Sequence, residues 1–108
     1  MINEEESINE IIKAEKQENY DLSEKLISNL ARAKRIKISI SEDANIFLER
    51  NEIKINIFFD SSRYIKDFFY DIYFEEKFLI RIYFRNFYKE IKNIFEIMNN
   101  IEYAQSSE

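Results

Sequence analysis

The stretch Ile53–Phe84, IKINIFFDSSRYIKDFFYDIYFEEKFLIRIYF, decides the fold of this chain. Ile53, Ile55, Ile57 and Phe59 share one parity, and so do Phe78, Ile80, Ile82 and Phe84. A period of two belongs to strands, which turn alternate side chains to opposite faces. Both runs are therefore expected to be strands with isoleucines facing a core. Residues 63–75, between them, fit two templates. Ile65, Phe68, Phe69 and Ile72 suit one helix face, while Phe68, Tyr70, Ile72 and Phe74 suit a strand. Aromatic richness and the turn-like Glu75-Glu76-Lys77 favour a strand over 68–74, pairing back with 78–85.

Towards the N-terminus, Asp60-Ser61-Ser62 ends the strand 53–59 and Arg50-Asn51-Glu52 turns into it. Ile46-Phe47-Leu48 reads as a short strand. Ser41 to Asn45 is the best turn signal in a chain without glycine or proline. Ile36, Ile38 and Ile40 alternate with Lys37, Ser39 and Ser41, a half-buried strand. Further back, Ser7-x-x-Glu10 and Asp21-x-x-Glu24 have the form of capping boxes, each followed by apolar residues at helical spacing. They imply a helical hairpin, 7–18 and 22–34, turning at Asn19-Tyr20-Asp21; one long helix is the alternative. Beyond the strands, Ile91, Ile94, Phe95, Met98 and Ile101 form a helical stripe. The expected fold is one α+β domain over 1–108, with 1–6 and 104–108 frayed. It has an N-terminal helical hairpin, an antiparallel sheet of four or five strands and a C-terminal helix.

The two sheet faces differ. Ile55, Ile57, Ile80 and Ile82 make one fully apolar. Lys54, Asn56, Phe58, Asp71, Tyr73, Leu79, Arg81, Tyr83 and Arg85 give the other a mixture of aromatic and polar groups. Such a face is half-covered in the monomer or meets a partner. Ile53–Phe59 is a long apolar strand and an aggregation hazard if it forms an open edge. A homodimer is the expected assembly.

Missing residue types argue against most catalytic chemistry. With no His and no Cys, the Ser-His-Asp and Cys-His systems and ordinary zinc sites are absent. With no Gly, there is no phosphate-cradling loop. Carboxylate chemistry remains, from Glu75-Glu76, Asp67 with Asp71, or Glu4-Glu5-Glu6, and each set reads more simply as solvated charge or turn. A non-enzyme is expected, with no cofactor, metal or small-molecule substrate. The acidic start MINEEES is unlike a signal peptide, and no uncharged run is long enough to span a bilayer. A cytoplasmic location without membrane attachment follows as the expectation.

Charge supplies the functional reading. Residues 1–30 hold eight acids against three bases, which equals the whole chain's net −5, so 31–108 balance. An acidic hairpin suits docking to a basic protein or nucleoprotein. The expected function is inhibition of that partner by occlusion: Glu10, Glu15, Glu18 and Glu24 steer, while Tyr73 and Tyr83, beside Arg81 and Arg85, supply contact. Small acidic domains without catalytic parts are common among immunity proteins, antitoxins and phage-encoded anti-defence proteins, so a phage or mobile-element origin fits. Two alternatives stand beside this reading. Phe58, Tyr73 and Tyr83 among Lys54, Arg81 and Arg85 resemble a single-stranded nucleic-acid platform, although net negative charge opposes it. The other alternative is a homodimeric structural or adaptor protein.

Overall fold

The computed structural model describes residues 4–42, 45–59 and 68–106. In order they form α1 (Glu4–Lys16), α2 (Tyr20–Ala33), β1 (Lys37–Ile40), β2 (Ile46–Arg50), β3 (Ile53–Phe59), β4 (Phe68–Phe74), β5 (Lys77–Phe84) and α3 (Phe87–Ser106). The sheet is an antiparallel meander in chain order, β1-β2-β3-β4-β5. This is the α+β fold expected, and 68–74 is a strand. The β3–β4 connection, 60–67, which holds the expected stop at Asp60–Ser62 as well as Ile65 and Asp67, lies outside the described residues.

The helices begin at residues other than those the capping boxes suggest. α1 already includes Glu4–Glu6, so Ser7 sits within it, and three acids occupy its positive N-terminal turn. Asn19, not Asp21, caps α2: its side-chain oxygen accepts from the Leu22 amide at 3.3 Å. Asn86 caps α3 in the same way, accepting from the amides of Tyr88 and Lys89 at 3.0 and 3.2 Å. Asparagine is among the strongest N-caps because its short amide reaches the unpaired first-turn N–H groups.

Isoleucine alternation builds the core. Ile46, Leu48, Ile53, Ile55, Ile57, Tyr70 and Ile72 are buried on one sheet face. Onto that face pack Ile8 and Ile11 of α1, Ile27 and Leu30 of α2, and Ile91, Ile94, Phe95 and Met98 of α3. All three helices therefore lie on the same side of the sheet. α2 also packs against β1, at the opposite margin from β5. Arg50 ties the layer together, donating to the Lys34 carbonyl at 2.9 Å and to Asn99 Oδ1 at 3.2 Å.

A chain without glycine makes its turns with other residues in left-handed backbone. Glu18 (φ 57°) and Arg35 (φ 60°) follow α1 and α2. Arg35 lets the Ile36 amide reach back to the Ala31 carbonyl at 2.8 Å, closing the helix end where glycine usually serves. Asn51 (φ 55°) turns β2 into β3, and Glu75 (φ 49°) with Glu76 (φ 67°) turns β4 into β5. Two consecutive positive φ values are the mirror-image hairpin turn that matches strand twist.

β5 departs from strict alternation. Its pairing with β4 shifts between Ile72 and Tyr73: Ile72 faces Ile80, but Tyr73 faces Phe78. Leu79 is the extra residue of this bulge. Phe78 thus leaves the parity it shares in sequence with Ile80, Ile82 and Phe84, and its ring meets Tyr73 at 5.8 Å. Ile80 and Ile82 keep the core-side parity, yet Ile80 is 50% exposed. The helical cover reaches Phe84 at the end of β5 but not Ile80 nearer its start. The long apolar strand Ile53–Phe59 is central, so among the described residues the open edge falls on β5 instead.

Candidate functional site

The sheet face that is helix-free among the described residues follows from the register. One row across β3, β4 and β5 is Phe58, Phe69 and Tyr83. Phe47 adds to it, with centroid distances of 6.1 Å for Phe47–Phe58, 5.1 Å for Phe58–Phe69 and 5.9 Å for Phe69–Tyr83. The next row places Asn56, Asp71 and Arg81 side by side. Arg81 grips Asp71 through Nε to Oδ1 at 2.7 Å and Nη2 to Oδ2 at 3.0 Å. Its guanidinium lies 4.1 Å from the Phe69 ring centre. The bonds to Asp71, then Tyr83, raise the Arg81 pKa above its ordinary value, so this cation is permanent. Asp71 has only 5% of its side chain exposed, and the bidentate pair is what permits a carboxylate there.

The acidic candidates occupy the helical layer. Glu10, Glu18 and Glu24 are exposed and Glu15 is half-buried. Glu10 borders a shallow groove between α1 and α2 with Lys13 and Leu26. Glu15 and Glu24 come together elsewhere, across a cleft of about 400 Å³ at the hairpin turn. Phe59, Phe68 and Phe87 form its walls, Tyr20 and Tyr88 its rim, and Arg85 reaches it from the end of β5. The walls are a packed aromatic cluster, with ring centroids 5.6 Å apart for Phe59–Phe68 and 5.2 Å for Phe59–Phe87. Burial pushes the Tyr88 phenol up, the buried Ser23 hydroxyl works the other way, and the charges of Glu15 and Glu24 push it further up.

The residues singled out from sequence thus divide into three places. Tyr73, Tyr83 and Arg81 belong to the helix-free sheet face. Glu15, Glu24 and Arg85 belong to the cleft, and Glu10 and Glu18 to the outer hairpin surface. The sheet lies between the first group and the helices. Local sequence gave no sign of the cleft, because its aromatic walls come from strand ends and the start of α3, which only the tertiary fold gathers. The carboxylate sets also resolve. Glu75 and Glu76 form a turn, Asp71 is held by Arg81, Glu4 pairs with Lys34 at 2.9 Å, and Asp67 lies outside the described residues. Among the described residues no cluster of three acids suits a metal ion, and no helix is long and apolar enough to cross a membrane.

Comparison with protein-family models, with curated proteins and with solved structures finds no match to this chain.

Proposed function

We propose that this protein is a non-catalytic binding protein that occludes a basic macromolecular partner, and that it anchors a lysine or arginine side chain of that partner in the cleft between Glu15 and Glu24. The observation that carries this reading is the composition of the cleft. Among the described residues that line it, two carboxylates stand beside aromatic faces, with the guanidinium of Arg85. An alkylammonium or guanidinium group gains there from opposite charge and from the negative ring faces, both stronger where water is displaced. Glu10 and Glu18, exposed on the same helical layer, act at longer range by steering the encounter. Occlusion needs no chemistry beyond this, which agrees with the chain's residue inventory.

The nucleic-acid reading is weaker on this geometry. The sheet face has the stacking rings, but Arg81, its central cation, is committed to Asp71. Phosphate would have to displace a bidentate carboxylate.

Titration calorimetry with short arginine and lysine peptides tests the proposal. Glu15→Gln/Glu24→Gln is expected to weaken binding about tenfold or more, on the scale of ~1.4 kcal/mol per decade. Glu10→Gln/Glu18→Gln is expected to slow association at low salt while leaving dissociation nearly unchanged. Equal affinity for the wild type and the Glu15/Glu24 variant contradicts the cleft reading.

A further inference from the structure

We infer that β5 is the interface with a second copy of this chain: two β5 strands pair antiparallel about a two-fold axis at Ile82, joining two five-stranded sheets into one of ten.

Four of the exposed large apolar side chains lie on this one strand: Phe78 (54% exposed), Leu79 (51%), Ile80 (50%) and Tyr83 (63%). They face both sides of the sheet, as only an unfinished margin allows. β5 is also eight residues long and terminal in the sheet. A long apolar edge with unpaired backbone groups is the surface that natural sheets normally shorten, charge or cover. β1, the opposite edge, is treated in that way: it has four residues, it includes Lys37 and Ser39, and α2 packs on it.

The occupant follows from self-complementarity. Beyond the bulge, Ile80 to Phe84 pair regularly with β4, and Ile82 is the centre of that segment. A two-fold there keeps the sheet faces aligned. Ile82 meets its own counterpart, Ile80 meets the second copy's Phe84, and Arg81 meets the second copy's Tyr83. On the helix side the first two pairs cover the half-exposed Ile80 and the partly buried Ile82, with Phe84 already in the core. The third sets a cation against an aromatic ring on the other face, where cross-strand neighbours interact most directly. Repulsion between the two Arg81 side chains is blunted because each is already matched by Asp71. The two Lys77 side chains stand about ten residues apart along the paired strands, roughly 33 Å. The acidic α1–α2 hairpins are kept apart, since α2 packs on β1 at the far margin of each sheet. One long apolar edge and one short edge broken by Lys37 and Ser39 give a closed dimer, not a filament.

Sedimentation equilibrium of the full chain is expected to give twice its 13.2 kDa mass. Ile80→Lys, placed at a half-exposed position, is expected to yield a monomer with unchanged far-ultraviolet circular dichroism. Because the chain has no cysteine, Ile82→Cys gives an independent readout: mild oxidation is expected to convert most of it to a covalent dimer, and Ile40→Cys on β1 is expected not to cross-link. A wild-type monomer at high micromolar concentration overturns the inference, as does a dimer that survives Ile80→Lys. Cross-linking through Ile40 in preference to Ile82 overturns it too.

Discussion

At the scale of single residues, the carboxylate buried in the sheet, Asp71, is held by a charged partner. Arg81→Met removes its guanidinium while keeping bulk over Phe69, and leaves a carboxylate almost without solvent. The pair is buried on one side only, so a clear loss of stability is expected, below the cost of breaking a fully buried pair. Asp71→Asn/Arg81→Met is expected to recover most of it, and urea unfolding of the two variants decides. Tyr70 offers a pH signature. Burial, then its 2.9 Å bond to Glu90, raises its phenol well above the ordinary 10. Below pH 10 folded and unfolded chains both hold this proton; above it the unfolded chain releases it first. Stability is therefore expected to fall as pH rises past about 10, by about 1.4 kcal/mol per unit for such a group. Tyr70→Phe is expected to flatten that slope, and equal slopes in both proteins would remove the assignment.

At the scale of elements, the strands were legible and their corners were not. Isoleucine at alternate positions names β1, β3 and the core side of β5, because a one-residue slip would turn every isoleucine to water. Aromatic density and the Glu75-Glu76 turn were enough for β4. The bulge at Leu79 was hidden: in most chains glycine marks such a place, and here nothing does, so Phe78 read as a core residue. Helix starts were misjudged for a similar reason. For α1 and α2, serine and aspartate in box spacing outweighed the acidic turn Glu4–Glu6 and the Asn19 cap, whereas α3 begins at Phe87, where its helical stripe was expected to open. The glycine-free turns carry a measurable cost, since a side chain with positive φ crowds the following carbonyl. Glu75→Asn/Glu76→Gly supplies the residues this hairpin geometry favours. A gain of about 1–2 kcal/mol is expected, seen as a rise in Tm of about 4–8 °C per kcal/mol.

At the scale of the molecule, the layering separates what the sequence joined. Acidic glutamates and sheet aromatics were assigned to one interface, but the sheet stands between them. The helical layer keeps the negative charge, and within it the cleft gathers Glu15 and Glu24 against an aromatic wall. No local periodicity reports this, because it depends on sheet order bringing the start of α3 beside the hairpin turn. Backbone amide NMR during titration with an arginine-containing peptide tests the central claim most directly. The largest shifts are expected at Glu15, Tyr20, Glu24 and Tyr88, lost in Glu15→Gln/Glu24→Gln, with Phe58, Phe69 and Tyr83 unmoved. Shifts of similar size spread over every exposed acid of α1 and α2, or centred on the aromatic sheet face, would contradict the claim.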